Sequence, residues 1–179
     1  EYFQRKFILT DKKGEYFADN DERMIFFARG VIETVKKLGW APDVVHCHGW
    51  FTALLPLYLK KAFRDNPLFA ETRVIYSVYD DEFQNPLHKD FAKKILVEGV
   101  EKGDVEQVAK VPSFANLNKL AIDYSDAVIK ASPKINSDVE KYIKKSGKSS
   151  LEFKSPEEYV AAYSEFYDAV LAEEPMLVD

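Results

Sequence analysis

Two short stretches hold the side chains best suited to chemistry. The first is His46-Cys47-His48-Gly49-Trp50. On an extended strand, residues i and i+2 face the same side, so His46 and His48 can address one ligand together. A zinc or iron site needs further ligands, and no third His or carboxylate stands at motif spacing, so no metal is expected. Two readings of the pair stay open: His46 as a hydrogen-bonded strand end beside a core Trp50, and His48 with Gly49 as the wall of a ligand cleft. Cys47 would act as a nucleophile only beside a base in an electropositive setting. Alternation turns it away from both histidines, which predicts buried packing.

The second stretch is Tyr79-Asp80-Asp81-Glu82. Paired carboxylates can serve as acid and base or hold Mg²⁺. Acids just past a strand also serve as loop residues and helix-start anions. Neither GxGxxG nor GxxxxGK[ST] occurs, so no dinucleotide or P-loop site and no resident cofactor is expected.

Both stretches must be positioned by the elements around them. β-branched and aromatic runs predict strands near 5–10, 43–47, 73–79 and 126–130. Asp19 with Glu22 reads as an acidic capping box for a helix whose face is Met24, Phe27, Val31, Val35 and Leu38, and Gly39 ends it. Helices are also expected over 51–64, despite Pro56, and over 87–97 and 114–123, with loop at 99–112. Ser132-Pro133 opens a helix carrying Ile135, Val139, Tyr142 and Ile143. Ser155-Pro156-Glu157-Glu158 starts a last one, striped by Tyr159, Tyr163, Phe166 and Val170. Strands alternating with helices predict an α/β fold, a Rossmann-like parallel sheet with helices on both faces. Ligands then bind beyond the C-terminal strand ends, at 46–51, 79–83 and 130–133.

The chain has 179 residues, 46% hydrophobic and 31% charged, which predicts one domain over 1–179 and excludes a disordered or collagen-like chain. Its net charge is −5, of which residues 151–179, an acidic C-terminal helix and tail, carry −7. The remainder is near neutral, and the one basic cluster, Lys141, Lys144, Lys145 and Lys148, sits where lysines complement a helix dipole. No nucleic-acid partner is expected. No apolar run approaches the ~20 residues of a membrane span, no signal peptide is visible, and a single Cys fits a reducing compartment, so a cytoplasmic location is expected.

In order along residues ~14–135, the span of several βαβ units, these pieces resemble the N-terminal domain of bacterial glycogen/starch synthases, which are ADP-glucose-dependent glycosyltransferases of GT-B fold. Phe17-Ala18-Asp19-Asn20-Asp21-Glu22-Arg23 is similar to the family's Y-x-D-N-x-x-R-F opening. Ala41-Pro42-Asp43-Val44-Val45-His46-Cys47-His48-Gly49-Trp50-Phe51-Thr52-Ala53 is similar to its P-D-V-V-H-A-H-D-W-H-[AT]-[AG]. The stretch 74–84 resembles a strand ending T-V-H-N-L-A-Y-Q-G, and 124–133 resembles A-D-x-I-x-x-V-S-P. Four cleft positions depart from the pattern. Gly49 and Phe51 stand for Asp and His, and Tyr79 and Asp80 stand for His and Asn.

The resemblance implies the N-terminal half of a GT-B fold and transfer of glucose from ADP-glucose to an α-1,4-glucan in glycogen biosynthesis. It implies His48, Trp50, Tyr79 and Asp80 as cleft residues, Trp50 as packing or as a sugar platform, and Asp19, Asn20, Arg23 and His46 as structural motif positions. The family's K-x-G-G loop and its nucleotide-sugar domain have no counterpart in these residues, so a second domain or partner chain is implied for activity. The alternative is a non-catalytic glucan-binding or regulatory module, which the four substitutions and 25 aromatic residues support, since sugar faces stack on aromatic rings.

Overall fold

The structure, a computed structural model, describes residues 2–173; the acidic tail expected beyond them lies outside the described residues. Helix α1 (Asn20–Leu38) buries Met24, Ala28 and Ile32 completely or nearly so, one line at four-residue steps. The expected face is thus rotated: Phe27, Val31 and Val35 flank the core, and Leu38 is exposed. Gly39 ends the helix in the left-handed region, φ 64°, as its sequence signalled. The capping box does not form. Both Asp19 oxygens accept from Arg5 at 2.7 Å, and no side chain caps the helix.

Strand β1 (Val44–His48) runs into a 3₁₀ turn (Trp50–Thr52), helix α2 (Leu54–Leu57) and a π-type turn (Tyr58–Ala62). The single helix expected over 51–64 is therefore broken, because Pro56 brings no N–H to the ladder and the turns on either side change pitch. Strand β2 (Arg73–Val78) is buried throughout. Of the helix expected over 87–97 only α3 (Phe91–Lys94) forms; in that stretch Phe91 and Ile95 are fully buried, while Leu87, Ala92, Leu96 and Val97 are only partly buried against the core. The expected loop at 99–112 contains a 3₁₀ turn (Gly103–Val105) and α4 (Glu106–Ala109), which bury Val105 and Val108.

Helix α5 (Phe114–Asp123) is capped by Ser113, and strand β3 (Ala127–Lys130) follows. Helix α6 (Ser137–Ser146) starts later than Ser132-Pro133, at Asn136, whose side chain accepts from the N–H groups of Asp138 and Val139. Ser132 is occupied elsewhere, its hydroxyl accepting the Asp80 N–H at 3.0 Å. Strand β4 (Ser149–Leu151) carries no β-branched signal and was unforeseen. Helix α7 (Tyr159–Ala172) begins just after the expected cap, where Ser155 O accepts the N–H groups of Glu158 and Tyr159. No helix among the described residues is long and apolar enough to cross a membrane.

The strands form one parallel sheet in the order β1-β2-β3-β4, with His48 opposite Ser77 and Val78 opposite Lys130. The strand expected at 5–10 does not join it. Only Thr10 bridges, antiparallel, to Tyr16, and Phe7 and Ile8 lie exposed with no strand to cover. Right-handed crossovers between neighbouring strands put their helices on one face. There Cys47, Val74, Tyr76, Val78 and Val128 pack with α1, α2, α5 and α6. On the other face α7 lays Tyr163, Phe166, Tyr167 and Val170 over Ile75, Ala127 and Ile129. The α/β sheet with helices on both faces is as expected.

Val170 is 1% exposed and central to that second layer. Val170→Asp would bury an unpaired carboxylate there, and urea denaturation should show a loss of about 3–5 kcal/mol.

Candidate functional site

The parallel register delivers the ends of β1, β2 and β3 to one edge, where α/β sheets bind ligands. Immediately after His48 the chain turns at Gly49, whose φ of 71° and ψ of 171° only glycine adopts readily. Its N–H donates to Ser77 O at 3.0 Å, extending the ladder by one bond.

His46 and His48 stack on the second face, ring centroids 3.9 Å apart. The His46 Nδ1 lies 2.6 Å from the Tyr167 hydroxyl and its Nε2 lies 2.6 Å from the Ser77 hydroxyl. A neutral imidazole serves one as acceptor and the other as donor. Burial, with His48 adjacent, pushes its pKa down to about 3, so it stays neutral and structural. His48 is exposed at the rim, and its Nδ1 lies 2.8 Å from the Tyr79 hydroxyl. Desolvation lowers the His48 pKa and raises that of Tyr79. With the hydroxyl donating to Nδ1, the proton sits on Nε2, free to donate to a ligand. Cys47 is buried on the opposite face, and burial raises its thiol far from thiolate formation.

Trp50 is a core residue. It is 1% exposed and packs edge-to-face against Phe51, Phe83 and Tyr16 at 5.6, 4.9 and 6.0 Å. The sugar-platform reading is thereby corrected, because no ring face is left for a sugar. Its Nε1 is buried with no partner among the described residues. Trp50→Ala should cost about 3–5 kcal/mol in a thermal or chemical melt, the usual range for emptying a buried aromatic site.

The three acids after β2 do not converge. Asp80 is exposed, and only its N–H is tied, to Ser132. Glu82 accepts from Asn136 Nδ2 at 3.0 and 3.1 Å, on the α6 side. Asp81 is half-buried against Gly49: a Cβ built at Gly49 would lie 2.8 Å from Asp81 Oδ2. Among the described residues no three His, Cys, Asp or Glu side chains are grouped to hold a metal ion. Asp80, the acid that the resemblance implies for the cleft, is the exposed one, and Asp81 is set apart from it only by Gly49, whose meaning appears once the neighbour across the edge is known.

Burial raises the Asp81 pKa to about 6, against the opposing pull of its own N–H and that of Trp50, and the Asp80 charge adds to the rise. A raised acid binds its proton more tightly when folded, so this stability is full below about pH 4 and is lost as pH rises through about 6. Asp81→Asn, which does not titrate, should therefore gain up to about 3 kcal/mol on the wild type between pH 4 and pH 7 in urea melts.

The opening motif forms a knot behind this edge. Arg23 is 1% exposed; its Nη1 donates to Asn20 Oδ1 at 2.5 Å and its Nε to Tyr2 O at 3.0 Å. Its guanidinium lies over Phe3, Phe17 and Phe51 at 5.4, 5.2 and 5.8 Å. Asn20 Nδ2 donates to Leu9 O at 2.8 Å, and Asp19 holds Arg5. Asp19, Asn20 and Arg23 are thus tied into the packing between the first residues and α1, and His46 into that between the sheet and α7. A cavity of about 440 Å³ opens between this region and the loop after β2, lined by Tyr16, Asn20, Trp50, Phe83, Gln84 and His88 among others.

Residues 1–151 match the family model described as the starch synthase catalytic domain. A glycogen synthase of Chlorobium limicola is 39% identical over 101 residues, 56% of this chain and 21% of that protein. One of Chlorobium phaeovibrioides is 31% identical over 135 residues, 74% of this chain and 27% of that protein. The chain thus spans about a fifth to a quarter of the length of these curated relatives. The catalytic domain of Starch Synthase IV from Arabidopsis thaliana, solved bound to ADP and acarbose, superposes with a TM-score of 0.65 at 18% identity, covering 85% of this chain and 32% of that one. At that identity the likeness carries the fold, a parallel sheet with helices that matches a GT-B catalytic domain.

Proposed function

The chain belongs to the starch synthase catalytic domain family, and we propose that it forms, as one domain, the N-terminal half of a GT-B glucosyltransferase. The reaction is transfer of glucose from ADP-glucose to the 4-hydroxyl end of an α-1,4-glucan in glycogen biosynthesis. The observation that carries this reading is the single strand edge that gathers His48, Gly49, Tyr79, Asp80 and Asp81. His48, fixed by Tyr79, presents an Nε2–H to sugar hydroxyls, and Asp80 offers an exposed acceptor beside it. The single cysteine, buried and reduced, suits a cytoplasmic enzyme.

Loss of the nucleotide diphosphate needs cations on the leaving phosphate. The edge side chains named above are neutral or acidic, and nearby Lys130 is held by Glu140 and Glu152 at 2.9 and 3.3 Å. This half therefore binds and orients sugar, and the phosphate clamp is the work of a second domain or a partner chain. A non-catalytic glucan-binding module is the second reading, favoured by Gly49, Phe51, Tyr79 and Asp80 at four cleft positions of the family pattern.

Calorimetric titration with maltoheptaose and with ADP-glucose, paired with a radiolabelled transfer assay, tests both readings. The chain alone should bind sugar and show no transfer above background. His48→Ala should weaken binding about tenfold, the worth of one lost hydrogen bond of about 1.4 kcal/mol. Transfer restored by adding the remainder of the enzyme supports the glucosyltransferase; binding without restored transfer supports the module. A chain that binds neither sugar overturns both.

A further inference from the structure

The two outer strands of the sheet are built differently. At one side β4 (Ser149–Leu151) is three residues long and flanked by Lys148 and Glu152. A short strand bracketed by charge resists pairing with another chain. At the other side β1 (Val44–His48) runs for five residues, Val-Val-His-Cys-His, with no Asp, Glu, Lys, Arg or Pro among them. It pairs with β2 residue for residue, without a bulge. None of the protections that blunt an outer strand is present. Leu38 and Trp40, in the turn that feeds β1, stand exposed beside its start.

In a parallel ladder, alternate residues of a strand address a given neighbour. The Arg73 N–H donates to Asp43 O and the Gly49 N–H to Ser77 O, so residues 43, 45, 47 and 49 address β2. The N–H and C=O groups of Val44, His46 and His48 therefore point away from it. Among the described residues no strand lies on that side, and no hydrogen bond reaches those groups. The order of the strands adds a second constraint. It follows the sequence from β1 to β4, so right-handed crossovers through α2, α5 and α6 share one face. Open α/β sheets bind ligands where the two neighbours of a strand are reached by crossovers on opposite faces. The edge that gathers His48, Gly49 and Tyr79 lies at the end of β1, and β1 is such a strand only if another lies beyond it.

We propose that the open side of β1 pairs with a strand of the remainder of the enzyme, running parallel to β1, so that the sheet continues past it. The inference rests on the function proposed above for the place of the cleft, whereas the unpaired backbone is independent of it. The partner is an uncharged, apolar segment extended over about five residues, as a strand inside a parallel sheet covered on both faces must be. Its parallel direction brings its C-terminal end beside His48, where the chain leaving it forms the other side of the cleft. This chain spans about a fifth to a quarter of its curated relatives, which leaves ample chain to supply such a strand. A second copy of this chain fits less well. Two-fold pairing of β1 with itself is antiparallel and would set the Val44 end of one copy against the His48 end of the other.

The test reads amide hydrogen exchange residue by residue, in the chain alone and in the chain co-purified with the remainder of the enzyme. Alone, the N–H groups of Val44, His46 and His48 should exchange about 100-fold faster than those of Val45 and Cys47, which bond to β2. In the complex they should slow to the rate of Val45 and Cys47. Val44→Pro removes one outward N–H and sets its ring where the partner approaches, a change that an outer strand accepts. It should leave the melting temperature of the chain alone nearly unchanged and cut recovery of the remainder about tenfold. Val44→Ala, which trims the same side chain and keeps the N–H, should recover the remainder as wild type does. Amides at 44, 46 and 48 that stay fast in the complex overturn this inference and leave the proposed function standing. Amides already slow in the chain alone, at a rate set by its concentration, overturn it in favour of a second copy. Slowed amides in a complex that binds neither maltoheptaose nor ADP-glucose support the pairing and overturn the proposed function.

Discussion

His48 stands opposite Ser77 in a parallel ladder, and the site depends on that register. In a parallel pair the strands finish at the same edge, so whatever follows β1 meets whatever follows β2. The Gly49 N–H then takes one further bond to Ser77 O, which fixes where the chain leaves the sheet. A slip of one residue would turn His46 and His48 to the other face and bring Cys47 to the histidines' place. The stacked imidazoles, the Tyr79 hydroxyl on His48 and the Asp81 carboxylate against Gly49 are all consequences of one alignment.

The same register explains why the two faces of the sheet are built so differently. Sequential strand order sends the crossovers to one side, where a large core forms around Trp50, Tyr58, Tyr76 and Leu117. The opposite side, with Ile75, Ala127 and Ile129, is closed by α7, beyond the stretch that matches the family model. That helix is secured by polar bonds as well as by burial. Arg73 Nε donates to Val170 O at 3.3 Å and its Nη2 to Glu173 O at 2.5 Å, while Tyr167 meets His46. The neutral state of His46 follows, since a charged imidazole would have to be stabilised under an aromatic cover.

Much of this was legible in the sequence, for local reasons. The runs at 44–48, 73–78 and 127–130 are β-branched and bounded by turn residues, and the strands form there. Helices α1, α5 and α7 declare themselves through apolar periodicity. What was hidden depends on distant partners. Ser149-Ser150-Leu151 has no intrinsic strand signal and pairs only because β3 offers an edge. Residues 5–10 have the signal but no partner strand. Trp50 looked available to a sugar until Phe51, Phe83 and Tyr16 closed around it. Asp81 looked like one acid among three, because its distinguishing neighbour lies 32 positions earlier.

The buried Arg23 shows how a motif away from the edge still shapes it. A guanidinium out of water needs hydrogen-bond acceptors and aromatic faces, and it receives Asn20 Oδ1, Tyr2 O and the rings of Phe3, Phe17 and Phe51. Asn20, held by Arg23, passes the constraint on through its bond to Leu9 O, and Leu9 O also accepts the Phe17 N–H. Residues 9–17 therefore form a loop closed at its base, with Tyr16 near its end. Tyr16 packs edge-on against Trp50 and Phe83, and burial, with the Asp81 charge adding to it, raises its pKa. A cation buried at the start of α1 thus holds one wall of the cavity whose other wall is the loop after β2. Phe51, at a position where the family pattern has a histidine, belongs to that arrangement, as one of the rings on which the guanidinium rests.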